Sequence, residues 1–285
     1  MKTFGDIDPY YNEYENAEIL LQSIPYDGTS TWGKGADKGF DAFMEAAANM
    51  ELYDIETDSE VYKKGIHLLP EIDVDVTPEA LFKEVHGRTK QLLQTDKFLT
   101  FFGGEHSISI GIIKAMYQKY PDITVLQLDA HADLRPEYLD SKYNHACAVF
   151  DAAHNTNLIQ VGVRSMDVLE KEYLNPNQCY FAHRLHGSDG WMKKAVGQMT
   201  DKVYITIDLD VFDPSVMPAT GTPEPGGMDW YQITKFLKMV FESREVIGFD
   251  LVELAPMKDN PAPNFLAAKL YYKLLSYKFH LERNF

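Results

Sequence analysis

Short apolar runs alternate with longer stretches of helical spacing along most of the chain. Apolar runs typical of buried strands cover residues 19–24, 98–102, 124–128, 158–163, 179–182, 203–207 and 246–249. Apolar residues recur at helical spacing in residues 36–49, 78–93, 108–119, 191–199, 231–241 and 263–277. Strands that alternate with helices in this way predict an α/β fold, in which a parallel sheet is covered by helices on both faces. We expect one domain over residues 1–285.

Polar groups of metal-ligand type follow three of these apolar runs. They lie in residues 103–107 (Gly-Gly-Glu-His-Ser), 129–133 (Asp-Ala-His-Ala-Asp) and 208–214 (Asp-Leu-Asp-Val-Phe-Asp-Pro). Side chains at alternate positions of an extended chain point to one side, so the acidic and imidazole groups of the second and third runs can each face one point. Open parallel sheets bind ligands beyond the carboxyl ends of their strands, which is where all three runs fall. The candidate ligands are His106, Asp129, His131, Asp133, Asp208 and Asp210.

Two imidazoles and four carboxylates make up this candidate ligand set. An unpaired cluster of so many acids would raise the pKa values of its members through mutual repulsion, so a bound cation is expected. Oxygen ligands with a minority of imidazoles suit Mn2+ or a similar divalent ion better than a zinc site rich in thiolate. Six ligands are too many for one ion that keeps a position open for water, whereas two ions that share Asp carboxylates match the number. A pair of ions can activate a water molecule for attack on an electrophilic carbon.

The acidic composition restricts the class of partner. A formal net charge of −16 and a pI of about 4.9 argue against a nucleic-acid ligand, whose backbone is bound by Lys and Arg. The same charge favours attraction of a cationic small molecule, although acidity that only serves solubility stays an alternative. Cys147 and Cys179 make no disulfide framework, the first residues lack the apolar core of a signal peptide, and no apolar run reaches the ~20 residues of a membrane helix. We therefore expect a cytoplasmic protein without a membrane or nucleic-acid partner.

The three polar runs resemble, in order and in spacing, the metal signatures of the ureohydrolases, the arginase and agmatinase family. The similarity continues through residues 213–227 and 248–256 (Gly-Phe-Asp-Leu-Val-Glu-Leu-Ala-Pro), so that it covers about residues 98–256. This resemblance implies a three-layer α/β/α sandwich with a mainly parallel eight-stranded sheet, and two Mn2+ ions per subunit. It also implies that a hydroxide held between the ions attacks a guanidinium carbon, with release of urea and an amine.

The resemblance assigns each candidate ligand to an ion. The first ion is implied to bind His106, Asp129, Asp133 and Asp208. The second ion is implied to bind Asp129, His131, Asp208 and Asp210, so that Asp129 and Asp208 bridge the pair.

Other acidic and imidazole residues have implied roles around this centre. His145, which on its own would be interpreted as a solvated loop histidine, matches the histidine that shuttles protons. Glu253 matches the carboxylate that pairs with the guanidinium, whose planar fork of donors suits a carboxylate well; a salt bridge at a strand end is the alternative. Asp167 lies where arginases contact the amino group of the substrate, and a solvated loop acid is the alternative. Glu105 and Asp213 are expected to support neighbouring groups rather than to bind metal.

The sequence leaves more alternatives for the substrate than for the type of reaction. Residues 141–147 and 221–227 look like the agmatinase branch, which predicts hydrolysis of agmatine to putrescine and urea in polyamine biosynthesis. Arg135 stands where arginases carry a polar pattern, and it could oppose a cationic tail or attract a carboxylate, so arginase and guanidinobutyrase activities stay alternatives. Residues 31–40 depart from the Arg-Gly-Pro type of segment found in relatives, which leaves the tail pocket and the subunit contacts open. Relatives form trimers and hexamers, so a homo-oligomer is expected.

Two other function classes weigh less. A non-catalytic guanidino-binding protein is disfavoured because all six candidate ligands, His145 and Glu253 are present. A two-metal phosphatase or nuclease is disfavoured because Glu253 would repel a phosphate ester.

Overall fold

A parallel sheet of eight strands lies at the centre of the protein in the computed structural model, which describes residues 3–187 and 189–281. The strands are β1 (Ile19–Ile24), β2 (Ile66–Leu68), β3 (Phe98–Gly103), β4 (Thr124–Leu128), β5 (Asn157–Val161), β6 (Cys179–Tyr180), β7 (Lys202–Asp208) and β8 (Glu245–Val252). Their order across the sheet is β2-β1-β3-β8-β7-β4-β5-β6, and every neighbouring pair is parallel. The sheet predicted as mainly parallel is therefore wholly parallel.

Helices cover both faces of this sheet. They are α1 (Gly39–Ala47), α2 (Pro78–Leu92), α3 (Ile108–Lys119), α4 (Phe150–Asn155), α5 (Gly190–Gly197), α6 (Trp230–Ser243) and α7 (Ala262–His280). The apolar sides of α2, α3 and α4 share one core with one face of the sheet, and those of α1, α5, α6 and α7 share a second core with the other face. The three-layer α/β/α sandwich is thus confirmed. Along the described ranges, no helix is both long enough and apolar enough to cross a membrane.

Several element boundaries differ from those predicted. β2 was not predicted, because it has only three residues and two of them are partly exposed, which gives a weak apolar signal. The stretch 36–49 begins as a 3-10 helix (Ala36–Lys38) and becomes α-helical only at Gly39. β5 ends before its predicted end because Gly162 adopts a φ of 99°, which is incompatible with an extended strand. β8 continues to Val252, so that Glu253 directly follows the strand.

The strand order explains where chemistry can occur. β3, β8, β7 and β4 are consecutive in the sheet, although they are far apart in the chain. Their carboxyl ends therefore lie side by side at one edge. Residues 103–107, 129–133, 208–214 and Glu253 all follow these four strands, so the fold brings every predicted ligand run to one place.

Candidate active site

His106 is surrounded by three of the predicted carboxylates. Its Nδ1 lies 3.0 Å from Oδ2 of Asp129, 3.1 Å from Oδ2 of Asp133 and 3.5 Å from Oδ2 of Asp208. All four side chains are buried. Ligand atoms of His106, Asp129 and Asp208 lie within 4.8 Å of one another, which is close enough for one ion to contact all three.

A second group of ligand atoms adjoins the first and shares Asp129 with it. Nδ1 of His131 lies 2.9 Å from Oδ2 of Asp210 and 3.6 Å from Oδ1 of Asp129. Ligand atoms of these three residues also lie within 4.8 Å of one another. The two groups can therefore hold a pair of ions bridged by Asp129. The bridging role of Asp208 stays a prediction, because this second group does not include it.

The prediction was that these side chains converge because they alternate along an extended chain, but the backbone brings them together in another way. Asp208 ends β7 and caps a 3-10 helix (Leu209–Val211), in which its Oδ1 accepts the backbone N–H of Asp210 at 2.8 Å. Asp133 adopts a φ of 51°, in the left-handed region that non-glycine residues rarely occupy. The groups do meet as expected, but the chain is not extended at Asp133 or at Asp210. A tight turn at Asp208 and a left-handed residue at Asp133 aim the carboxylates.

Electrostatics shows that these residues suit a bound cation. Nδ1 of His106 is buried and has no hydrogen-bond partner, although three carboxylates face it. Burial lowers the pKa of His106, but Asp129, Asp133 and Asp208 raise it by a larger amount, so the net pKa is well above its usual value. Burial and the charge of Asp129 raise the pKa of Asp133 to about 7. The cluster therefore requires positive charge, and divalent ions at the two groups would supply it.

His145 lines a cavity that His106 and His131 also line, and it is held through its backbone and its ring. Oγ1 of Thr29 lies 3.0 Å from the backbone nitrogen of His145 and 3.0 Å from its Nδ1, and it donates to Oε1 of Glu105 at 2.9 Å. A hydroxyl has one proton and two lone pairs, so Thr29 accepts from both His145 nitrogens. Neutral His145 thus carries its proton on Nδ1, which leaves Nε2 free to accept one. Burial, then the charges of His131 and His106, lower its pKa to about 4.

Glu105 is fully buried and acts as a support. Its carboxylate accepts hydrogen bonds from the backbone N–H and the hydroxyl of Ser107, both at 2.8 Å, as well as from Thr29. Through these hydrogen bonds, Glu105 connects the start of α3 to the loop after β1. The expectation that Glu105 supports its neighbours agrees with these contacts.

The side chain of Glu253 lines the cavity. Its Oε1 accepts the backbone N–H of His106 at 2.8 Å, and its φ of 68° turns the chain sharply after β8. Within residues 3–187 and 189–281, no Lys or Arg lies within 4.0 Å of its carboxylate, so the alternative of a strand-end salt bridge is wrong. Burial and the charge of Glu105 raise its pKa well above the usual value. A cationic ligand in the cavity would stabilise the ionised form.

Asp167 lines the same cavity, together with Arg135. Oδ1 of Asp167 accepts the backbone N–H of Leu169 at 3.0 Å and caps a 3-10 helix (Val168–Glu172). Its Oδ2 lies 3.5 Å from a guanidinium nitrogen of Arg135, and the Arg135 guanidinium stands 4.3 Å from the ring centre of Tyr138. Asp167 therefore caps this helix beside a cation, and its contact with a substrate amino group stays a prediction.

The cavity that joins these groups has a volume of about 310 Å3, which is suited to a small ligand. Its lining includes Thr31, from the segment that departs from relatives, together with Tyr138 and Thr222. Gly33 in the same segment donates its backbone N–H to the carbonyl of Gly221 at 3.2 Å. The atypical segment therefore forms part of the cavity wall.

Some supporting residues were not found by sequence reasoning. Arg164 donates to the backbone carbonyls of Asp210 at 2.6 Å, Phe212 at 3.2 Å and Glu224 at 2.9 Å, and so fixes the loop after β7. Asp213, predicted as a turn residue, accepts the backbone N–H groups of Gly226 and Gly227 in that loop. Thr29 gave no signal beyond its place after a turn. A polar residue inside an apolar strand was the available signal for Thr206 and Asp250, which are described below.

Comparison with known proteins agrees with this geometry. The model of the arginase family matches residues 17–276. The chain is 34% identical over 275 residues to an N(1)-aminopropylagmatine ureohydrolase of Synechocystis sp., covering 93% of this chain and 90% of that relative. It is 32% identical over 279 residues to an N(1)-aminopropylagmatine ureohydrolase of Thermus thermophilus, covering 96% and 94%. The crystal structure of the agmatine ureohydrolase of Thermoplasma volcanium superimposes with a TM-score of 0.86 at 28% identity, covering 97% of this chain and 94% of that one.

Proposed function

The chain belongs to the arginase family of ureohydrolases, and from that premise we propose that it hydrolyses agmatine to putrescine and urea with two Mn2+ ions as cofactors. One observation carries this proposal. The carboxylate of Glu253 is unpaired with Lys or Arg in the described chain and shares a small cavity with both ligand groups. A guanidinium is the planar cation that such a carboxylate binds best.

The proposed ligands are those implied by the family resemblance, and manganese is proposed because the donors are mostly oxygen. His106, Asp129, Asp133 and Asp208 would hold the first ion. Asp129, His131, Asp208 and Asp210 would hold the second. A pair of divalent ions in this position would lower the pKa of a shared water and supply hydroxide near neutral pH.

Two side chains of the protein would perform the remaining chemistry. Glu253 would bind the guanidinium and orient its carbon toward the ligand groups. His145, neutral and unprotonated at Nε2, would accept there the proton that the attacking water gives up and would pass it to the amine nitrogen as the bond between that nitrogen and the guanidinium carbon breaks. The second proton of the same water would move to that nitrogen as the C–OH group becomes the carbonyl of urea. The amine then leaves protonated, and urea remains. Asp167 would face the tail amine of the substrate.

A second candidate substrate is N(1)-aminopropylagmatine. Its support is that the Synechocystis and Thermus relatives are both named for this substrate. The additional aminopropyl group adds three carbons and one amine to agmatine, so the reacting guanidinium is the same and only the tail differs. The two candidates therefore need the same catalytic residues and differ in the outer part of the cavity.

A comparison of substrates tests the proposal. The Mn2+-loaded protein is given agmatine, N(1)-aminopropylagmatine, arginine and 4-guanidinobutyrate in parallel, and urea release is measured. Protein stripped of metal with a chelator is the control and should release none. The highest kcat/KM with agmatine is the expected result, whereas preference for the longer amine would select the second candidate. Preference for a carboxylate-bearing substrate would contradict both, and no urea from any of them would contradict the enzymatic proposal.

A further inference from the structure

A buried carboxylate with no role in the chemistry above lies behind the ligand groups. Asp250 is on β8, fully buried, and its Cα pairs with that of Thr206 on β7. It accepts hydrogen bonds from the hydroxyls of Tyr204 at 2.6 Å, Thr206 at 2.7 Å and Ser109 at 3.1 Å. Three hydroxyl donors around one acid show a built acceptor site.

Thr206 connects this acid to His106. Oγ1 of Thr206 lies 2.9 Å from Nε2 of His106. A hydroxyl has a single proton, and the carboxylate of Asp250 at 2.7 Å is a nearer and stronger acceptor for it than Oγ of Ser109 at 3.4 Å. Thr206 therefore accepts a hydrogen bond from Nε2–H of His106. Neutral imidazole carries one proton, and with that proton on Nε2 the lone pair is on Nδ1. Nδ1 is the atom that faces Asp129 and Asp133.

We infer that Asp250, acting through Thr206, is a positioning residue that fixes His106 in the tautomer able to bind a metal ion through Nδ1. The inference rests on the metal centre of the proposed function. In the opposite tautomer, Nδ1 would carry a proton directed toward Asp129, and it would have no lone pair with which to bind a metal ion. Metal-binding histidines generally donate their other N–H to a fixed acceptor, and here a hydroxyl held by a carboxylate takes that place.

Thr206→Val tests the connection, because valine has nearly the same shape and cannot accept a hydrogen bond. Metal-free protein is titrated with Mn2+, and free Mn2+ is followed by its electron paramagnetic resonance signal. We expect the affinity of one of the two sites to fall about 10- to 100-fold, with the other site little changed. Thr206→Ser keeps the hydroxyl and should restore both affinities.

Two further variants keep the test decisive. Ser109→Ala removes a hydroxyl that donates to Asp250 but keeps the backbone N–H that residue 109 donates to the carbonyl of His106, so it should bind both ions like the wild type. Asp250→Asn, whose amide can donate to Thr206 and reverse the proton order, should weaken the same single site, and it replaces Thr206→Val if that variant does not fold.

The outcomes separate this inference from the proposed function. Wild-type affinity at both sites in Thr206→Val or Asp250→Asn would overturn the inference, as would an equal loss in Ser109→Ala, which would indicate general loosening of the core. A wild-type protein that binds no Mn2+ would overturn the metal centre itself, and the inference with it.

Discussion

Glu253→Gln separates guanidinium binding from metal binding. In the wild-type protein, Oε1 of Glu253 accepts the backbone N–H of His106 at 2.8 Å, and the side chain lines the cavity. Glutamine retains a carbonyl oxygen for the backbone contact. It replaces the negative charge with a neutral amide, whose N–H groups would meet the N–H groups of a guanidinium. We therefore expect substrate binding to be lost while metal content stays intact.

The expected size of this loss follows from the contacts that disappear. A hydrogen bond to a charged partner contributes about 1.5–3 kcal/mol, and one or two such bonds join a guanidinium to a carboxylate. A total loss of about 1.5–6 kcal/mol corresponds to a kcat/KM lower by about 10- to 25,000-fold. The reduction should appear as a raised KM, a lowered kcat or both.

Urea release from agmatine and the metal content of dialysed protein are measured together. Glu137→Gln is the matched control, because Glu137 is exposed, does not line the cavity and lies in the loop between Arg135 and Tyr138. The control removes the same charge and should keep the wild-type kcat/KM. Wild-type kcat/KM in Glu253→Gln would refute the reasoning, and loss of metal would instead assign Glu253 to holding His106 in place.

Three further substitutions test the metal centre and the proton path. Asp129→Ala should remove at least one Mn2+ and nearly all activity, since Asp129 belongs to both ligand groups; a fully loaded, active variant would contradict the two-metal site. His145→Asn should lower kcat about 100-fold or more, and by the same factor between about pH 6 and pH 9. The reason is that the pKa of His145, lowered to about 4, leaves it neutral throughout that range, so a loss confined to one end of the range would count against the shuttle. Thr29→Val should lower kcat about 10-fold with unchanged metal content, whereas Thr29→Ser should not, and equal kcat in both variants would exclude a role for the hydroxyl.

The fold could be predicted where burial leaves a local pattern. β3, β4 and β7 are almost wholly buried, so each appears in the sequence as a continuous apolar run. β2 lies at the edge of the sheet and is partly exposed, so its three residues carry little signal. The order of the strands could not be obtained from the pattern, because the pairing of β3 with β8 joins residues far apart in the chain.

The site divides in the same way. The candidate ligands were found because they form short runs directly after strands, where position and chemistry indicate the same function. The residues that orient His145 and His106 were missed because their partners are distant in the sequence. Thr29 lies 116 positions from His145, and Ser109 lies 141 positions from Asp250. A single sequence cannot show that a threonine shares its one proton with a buried acid, since that depends on the tertiary contact.

The carboxylate proposed to bind the tail of the substrate differs in its surroundings from the carboxylate proposed to bind the guanidinium. The carboxylate of Glu253 has no cationic partner in the described chain, whereas Asp167 already has Arg135 beside it. That pair is loose, at 3.5 Å, and both side chains are about one-third exposed, so it contributes only about 0–1 kcal/mol. An ammonium group can therefore displace Arg135 from Asp167 at small cost, and the ring of Tyr138 can still receive the displaced guanidinium. A carboxylate tail would instead bind Arg135 where it stands. The Arg135–Asp167 pair is thus compatible with an ammonium tail and with a carboxylate tail, because the pair is weak enough for either tail to bind its oppositely charged member. Urea release from substrates that differ only in the tail is the measurement that distinguishes an ammonium tail from a carboxylate tail.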